Sequence, residues 1–111
     1  MDRVPGPDLG QNLPELPETL RVLRTLEPSL RARSVRELYL FGSVARGDAN
    51  RDSDVDLALA FDAEAEPSLF DIVHLKALLE HTLGRPVDLG ELETMKPRVA
   101  AAAAGEMIRV F

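Results

Sequence analysis

Three aspartates stand where strands are expected to begin. Asp54 and Asp56 open the run DVDLALAF, and Asp88 lies in PVDL further along. Alternate residues of a strand share a face, so Asp54 and Asp56 project together, with Cα atoms about 6–7 Å apart. Two carboxylates that close repel, and each raises the other's pKa unless a cation lies between them. Hard oxygen donors of this kind suit Mg²⁺, which binds through one or two carboxylates and leaves positions open for phosphates. If the strand beginning at PVDL lies level with the one beginning at DVDL, Asp88 faces the same cavity. Three carboxylates in one mouth would serve two ions, one beside an attacking group and one beside leaving phosphates. The plainer reading of Asp54 and Asp56 is a polar strand edge, which the clean apolar pattern of the strand's other face argues against.

The preceding stretch, LFGSVARGDANRDS, reads as a strand that stops at Gly42-Ser43 and turns into a helix. Free N–H groups at such a turn attract phosphate oxygens. Gly42 has no Cβ, so its backbone can approach a ligand closely. Ser43 can donate its hydroxyl to the same phosphate. Arg46, one turn on, can offer a planar fork to a phosphate oxygen; its plainer role is an exposed ion pair of little value. Ser53 is expected to cap or bond the loop before the carboxylates. Asp48 and Asp52 read as solvated loop acids. No Lys-Ser/Thr follows the glycines, so the stretch is not a P-loop. His74 and His81 read as solvent-facing helix residues, Tyr39 as strand filler, and Ala100 to Ala104 as close-packed helix formers.

These residues need elements to hold them. Residues 1–14 hold several Pro and Gly with little apolar periodicity and read as a flexible tail, leaving residues 15–111 as one domain. Leu16, Leu20, Leu23 and Leu26 follow helical spacing, with Pro17 tolerated in the first turn and Pro28 ending or kinking the helix. Val35 to Phe41 reads as a first strand. Asp54 to Phe61 is the second, with Val55, Leu57, Leu59 and Phe61 on one face and Asp54, Asp56, Ala58 and Ala60 on the other. Pro67 opens a helix to about Leu83, with Leu69, Ile72, Leu75, Leu79 and Leu83 on its apolar face and Gly84 just past its end. Pro86 to Leu89 is a third strand, Met95 to Ala104 a last helix, and Met107 to Phe111 a short edge strand. The second and third strands, joined by a helix, are expected to be parallel. The first and second must be antiparallel if Ser43 and Asp54 share a site. The expected fold class is α/β (α+β), a small mixed β-sheet packed with helices.

Composition narrows the function. The 111 residues make one domain's worth of chain, 45% hydrophobic and 29% charged, as in ordinary globular proteins. No apolar run approaches the length that spans a bilayer, and no secretory leader is read at the N-terminus. Cysteine is absent, which excludes disulfides and thiolate zinc sites and fits a cytoplasmic location. The net charge of −6 argues against direct nucleic-acid binding.

Gly42-Ser43, ten residues, then Asp54-Val55-Asp56 matches the pattern G-S-x10-D-x-D of the DNA polymerase β-like nucleotidyltransferase superfamily. The fuller string FGSVARGDANRDSDVDL resembles its smallest branch, the minimal nucleotidyltransferases, and the likeness covers roughly Leu16 to Phe111. The resemblance implies the polymerase β-like nucleotidyltransferase fold, ATP as substrate, two Mg²⁺ ions, and nucleotidyl transfer with release of pyrophosphate. Asp54, Asp56 and Asp88 would hold metal. Asp88 would also act as base or electrostatic support for the incoming hydroxyl. Gly42, Ser43, Arg46 and Ser53 would bind nucleotide. The resemblance also implies a partner, a HEPN-type ribonuclease toxin whose tyrosine accepts AMP and which is thereby silenced. Larger relatives add a domain for the acceptor; here a second copy or another protein is expected to supply that surface. Two alternatives stay open at this point: neutralisation of the toxin by binding alone, and transfer to a small molecule of the aminoglycoside kind.

Overall fold

The computed structural model describes residues 15–95 and 107–111. The expected tail at residues 1–14 lies outside them, as does the helix expected over Met95 to Ala104 except for Met95; residues 92–95 are helical. The chain runs α1 (Leu16–Thr25), α2 (Glu27–Arg31), β1 (Val35–Phe41), α3 (Gly42–Arg46), β2 (Val55–Phe61), α4 (Leu69–Leu83), β3 (Val87–Glu91) and β4 (Ile108–Arg109). The strands form one sheet in the order β3-β2-β1-β4. β1 is antiparallel to β2 and β4, whereas β2 and β3 are parallel. The helix α4 between β2 and β3 supplies the long crossover that a parallel pair requires.

Alternation along β2 decides which side is which. Val55, Leu57 and Leu59 join Leu38 and Leu40 of β1 and Val87 of β3 in a core closed by Val22, Leu23, Leu30, Leu75, Leu79 and Leu83 from the helices. Each fully buried leucine there contributes roughly 1.5–3 kcal/mol relative to exposure. The opposite face carries a smaller cluster, in which Ala58 meets Met95 with Tyr39, Phe41, Leu92 and Met107 around them. The second strand therefore has apolar cover on both faces, and only its start is polar. The C-terminal residues are tied back: Val110 N–H donates to the Leu38 carbonyl at 2.7 Å, and the Arg31 guanidinium stands 4.8 Å from the centre of the Phe111 ring.

Several boundaries differ from the sequence reading. Pro28 does break the first helix, but α2 begins at once, because a proline is accommodated in a helix's first turn. The long helix starts at Leu69, not Pro67. Ser68 caps it, with the Ser68 hydroxyl accepting from Asp71 N–H at 3.2 Å and the Asp71 carboxylate accepting from Ser68 N–H at 2.8 Å. Leu69 is 76% exposed and does not belong to the buried face; α4 gives fully buried side chains only from Leu75 onward. β2 begins at Val55, one residue after Asp54, and β3 extends to Glu91.

Candidate active site

The parallel pairing of β2 with β3 sets Val55 against Val87, Asp56 against Asp88 and Leu57 against Leu89. Asp56 and Asp88 are thus register partners on neighbouring strands about 4.8 Å apart, with side chains on one face. That face is the one bearing Ala58 and Met95, opposite the face covered by α1 and α4. On the other flank of β2, Asp56 pairs with Phe41, the last residue of β1. The antiparallel register therefore brings the Gly42-Ser43 turn to the Asp56 end of β2. Asp54 sits just ahead of the strand and is exposed, as is Asp88, while Asp56 is half-buried.

Gly42 has a second reason to be glycine. Its φ is +79°, a left-handed conformation that L side chains rarely adopt. A Cβ built there would lie 2.0 Å from Asp56 Oδ2 and 2.9 Å from Asp56 Cγ. The sequence reading assigned the missing side chain to close approach of a phosphate. The structure shows the Asp56 carboxylate lying over it. Ser43 follows in α3, whose first amides receive no side-chain cap, and its carbonyl accepts from the amides of Gly47 and Asp48.

The loop from Asp48 to Ser53 is held by its own polar groups. The Ser53 hydroxyl accepts from Asn50 N–H at 2.9 Å, and Asn50 Oδ1 accepts from Asp52 N–H at 2.8 Å. Ser53 thus bonds the loop before the carboxylates, as its position suggested. Arg46 Nε donates to Asp48 Oδ2 at 3.1 Å in an exposed ion pair. Asp52, His74 and His81 are exposed. Tyr39 is more than filler, since its hydroxyl donates to Glu37 Oε1 at 2.7 Å. That bond holds the Glu37 carboxyl below its ordinary value and pushes the Tyr39 phenol up.

Two further residues bond the backbone next to the carboxylates, and the sequence reading passed over both. Arg85 is 7% exposed, and its Nη1 donates to the carbonyls of Arg51 at 3.0 Å and Ser53 at 3.3 Å. Glu80 of α4 accepts from Val87 N–H at 2.9 Å, one residue before Asp88. A lone Arg after a helix-ending Gly carries no periodic signal, so only the folded turn reveals its contacts.

Among the described residues, no group of three or more His, Cys, Asp or Glu side chains is close enough to hold a metal ion by itself. Mg²⁺ needs only one or two carboxylates beside substrate phosphates. The donors present fit that ion: hard carboxylate oxygens on two adjacent strand starts, next to a turn where a Cβ would strike one of them. No helix among the described residues is long and apolar enough to cross a membrane.

Comparison with known proteins places this architecture. The protein adenylyltransferase MntA of Thermococcus cleftensis is 38% identical over 96 residues, covering 86% of this chain and 95% of the relative. A solved structure provisionally named a minimal nucleotidyltransferase is 40% identical, with a TM-score of 0.66 over 85% of this chain and 94% of its own. A tri-AMPylated Shewanella oneidensis HEPN toxin in complex with an MNT antitoxin includes a chain of the same fold, 18% identical, with a TM-score of 0.60 over 84% and 71% of the two chains. Residues 19–110 match the family described as Nucleotidyltransferase domain. With that span, the in-register aspartates and the Gly42-Ser43 turn in view, the chain belongs to the nucleotidyltransferase family and is an enzyme of that class.

Proposed function

We propose that this protein transfers AMP from ATP to a tyrosine hydroxyl on a HEPN-type ribonuclease toxin and acts as that toxin's antitoxin. The observation that carries the reading is the register match of Asp56 with Asp88 beside the Gly42 turn. The 38% identity to a protein adenylyltransferase supports AMP as the group moved and a protein as acceptor. The toxin complex of the same fold supports the kind of partner.

In this reading Asp54 and Asp56 would hold Mg²⁺, with Asp88 completing the set. Bound Mg²⁺ would neutralise charge on the triphosphate and on the departing pyrophosphate. The α3 amides and the Ser43 hydroxyl orient the phosphates. Arg46 leaves its exposed pair with Asp48 to reach a phosphate oxygen, a small loss because exposed pairs contribute little. Ser53 keeps the loop over the nucleotide in shape. The acceptor oxygen attacks the α-phosphorus and forms a new O–P bond. The bond from that phosphorus to the bridging oxygen breaks, and pyrophosphate departs with the electron pair. The hydroxyl proton passes to Asp88. The acceptor's surroundings come from the partner in this reading.

The test is label transfer from α-labelled ATP to the HEPN-type partner in the presence of Mg²⁺. The expected result is labelled partner tyrosine, reduced more than about 100-fold by Asp56→Asn or Asp54→Asn. Undiminished labelling by both variants would remove the carboxylate mechanism. Toxin neutralisation by an inactive Asp54→Asn protein would show instead that contact alone silences the partner.

A further inference from the structure

We propose that Arg85 is a positioning residue of the nucleotidyl-transfer site, fixing the peptide that leads into Asp54. The inference rests on the functional reading above. Its evidence is a set of bonds between two chain segments that the sequence separates. Arg85 Nη1 donates to the carbonyls of Arg51 and Ser53. Val55 N–H donates to the Pro86 carbonyl at 3.0 Å. The loop entering β2 and the turn entering β3 are thereby tied on both sides of Asp54. The Ser53 carbonyl and the Asp54 amide belong to one planar peptide unit, so holding that oxygen sets the plane from which Asp54 departs. On its own chain Arg85 stands three residues before Asp88, and Glu80 fixes the amide between them.

The chemistry favours arginine over other bridges. One nitrogen, Nη1, serves both carbonyls, and the planar guanidinium fixes the directions of its two N–H bonds, which a freely rotating ammonium does not. A nearly buried arginine is also an expensive way to tie a surface loop, since burial of a charge must be offset by bonds to it. The position of the bonds, beside one carboxylate and just before another, is what an outer support of a metal site requires, and such supports typically change affinity or activity by ~10–100-fold when removed.

The experiment measures binding of α,β-methylene-ATP to the full chain by calorimetry, with Mg²⁺ and with EDTA, for wild type, Arg85→Lys and Arg85→Gln. Thermal unfolding is followed in parallel. Val22→Ala, a core truncation in α1, controls for lost stability alone. The expected result is a Mg²⁺-dependent Kd about tenfold weaker in Arg85→Gln, an intermediate loss in Arg85→Lys, and no change in Val22→Ala at a temperature where all are folded. Weak nucleotide binding in EDTA is expected to be unchanged throughout. Equal Mg²⁺-dependent binding by wild type and both Arg85 variants would overturn the inference while leaving the function intact. If Arg85→Gln does not fold, Arg85→Lys decides: wild-type Mg²⁺ dependence in that variant overturns the inference. Failure of the wild type to bind nucleotide with Mg²⁺ would instead count against the functional reading.

Discussion

Gly42 shows how much one absent methyl group can govern. A Cβ there would occupy the space of the Asp56 carboxylate, and the positive φ would add roughly 1–2 kcal/mol of backbone strain to any L side chain. Gly42→Ala is therefore expected to lower the unfolding midpoint and to abolish Mg²⁺-dependent nucleotide binding together, checked by thermal unfolding and calorimetry on the same sample. A variant that keeps full binding would show that Asp56 has room to move. The Tyr39–Glu37 bond gives a pH signature at the same scale. Glu37 is depressed, so its contribution is present above the ordinary glutamate value and lost as pH falls through its lower folded value. Tyr39 is raised, so its contribution is present below the ordinary tyrosine value and lost as pH rises through its higher folded value. Tyr39→Phe is expected to reduce the loss of stability that urea unfolding measures as pH rises from 7 to 11. The shared level of Asp56 and Asp88 was legible because the two strand starts read alike, whereas Asp54 lies just ahead of β2. The space over Gly42 and the reach of Arg85 were not, because each depends on which segment folds across it.

At the scale of the element, α4 is set by its cap. Ser68 and Asp71 satisfy each other's amides, which explains why the helix begins there and not at Pro67. Ser68→Ala is expected to cost about 1 kcal/mol in urea unfolding and to leave nucleotide binding unchanged. Asp71 is held below the ordinary aspartate value by the Ser68 amide and then its hydroxyl. Its stabilisation is present above that ordinary value and lost as pH falls through the lower folded one, so an Asp71→Asn penalty should shrink in strong acid, whereas Ser68→Ala keeps the amide donor. The helical period predicted α4 correctly in kind, and Leu75, Leu79 and Leu83 are buried as expected. It overreached at Leu69, because periodicity cannot tell where a helix stops covering the sheet. Phe70 and Val73, 76% and 54% exposed, extend the same uncovered surface.

For the molecule as a whole, stability and site share one sheet. Leu57 is fully buried in β2 between the two neighbouring strands, and Leu57→Ala is expected to cost about 2–5 kcal/mol. Against the 5–15 kcal/mol typical of a domain, that is a large share, visible as an early urea midpoint. In the other direction, Mg²⁺ with nucleotide at a hundred times its Kd is expected to add about 2.7 kcal/mol to the wild type and far less to Asp56→Asn, read from unfolding midpoints with and without ligand. The mixed topology was legible from two inferences: the helix between DVDL and PVDL, and the need for Ser43 to lie near Asp54. The pairing of Asp56 with Asp88 required only that the two like strand starts lie level, and they do.

That level alignment has a further effect on errors in folding. Because side chains alternate, a slip of β3 by one residue would turn Asp88 into the oily layer beneath the helices and Val87 out to water. The hydrophobic pattern thus proofreads the chemistry: a chain that settles its greasy side correctly has already brought its two acids abreast, and a miswound one is discarded before it can become a stable impostor.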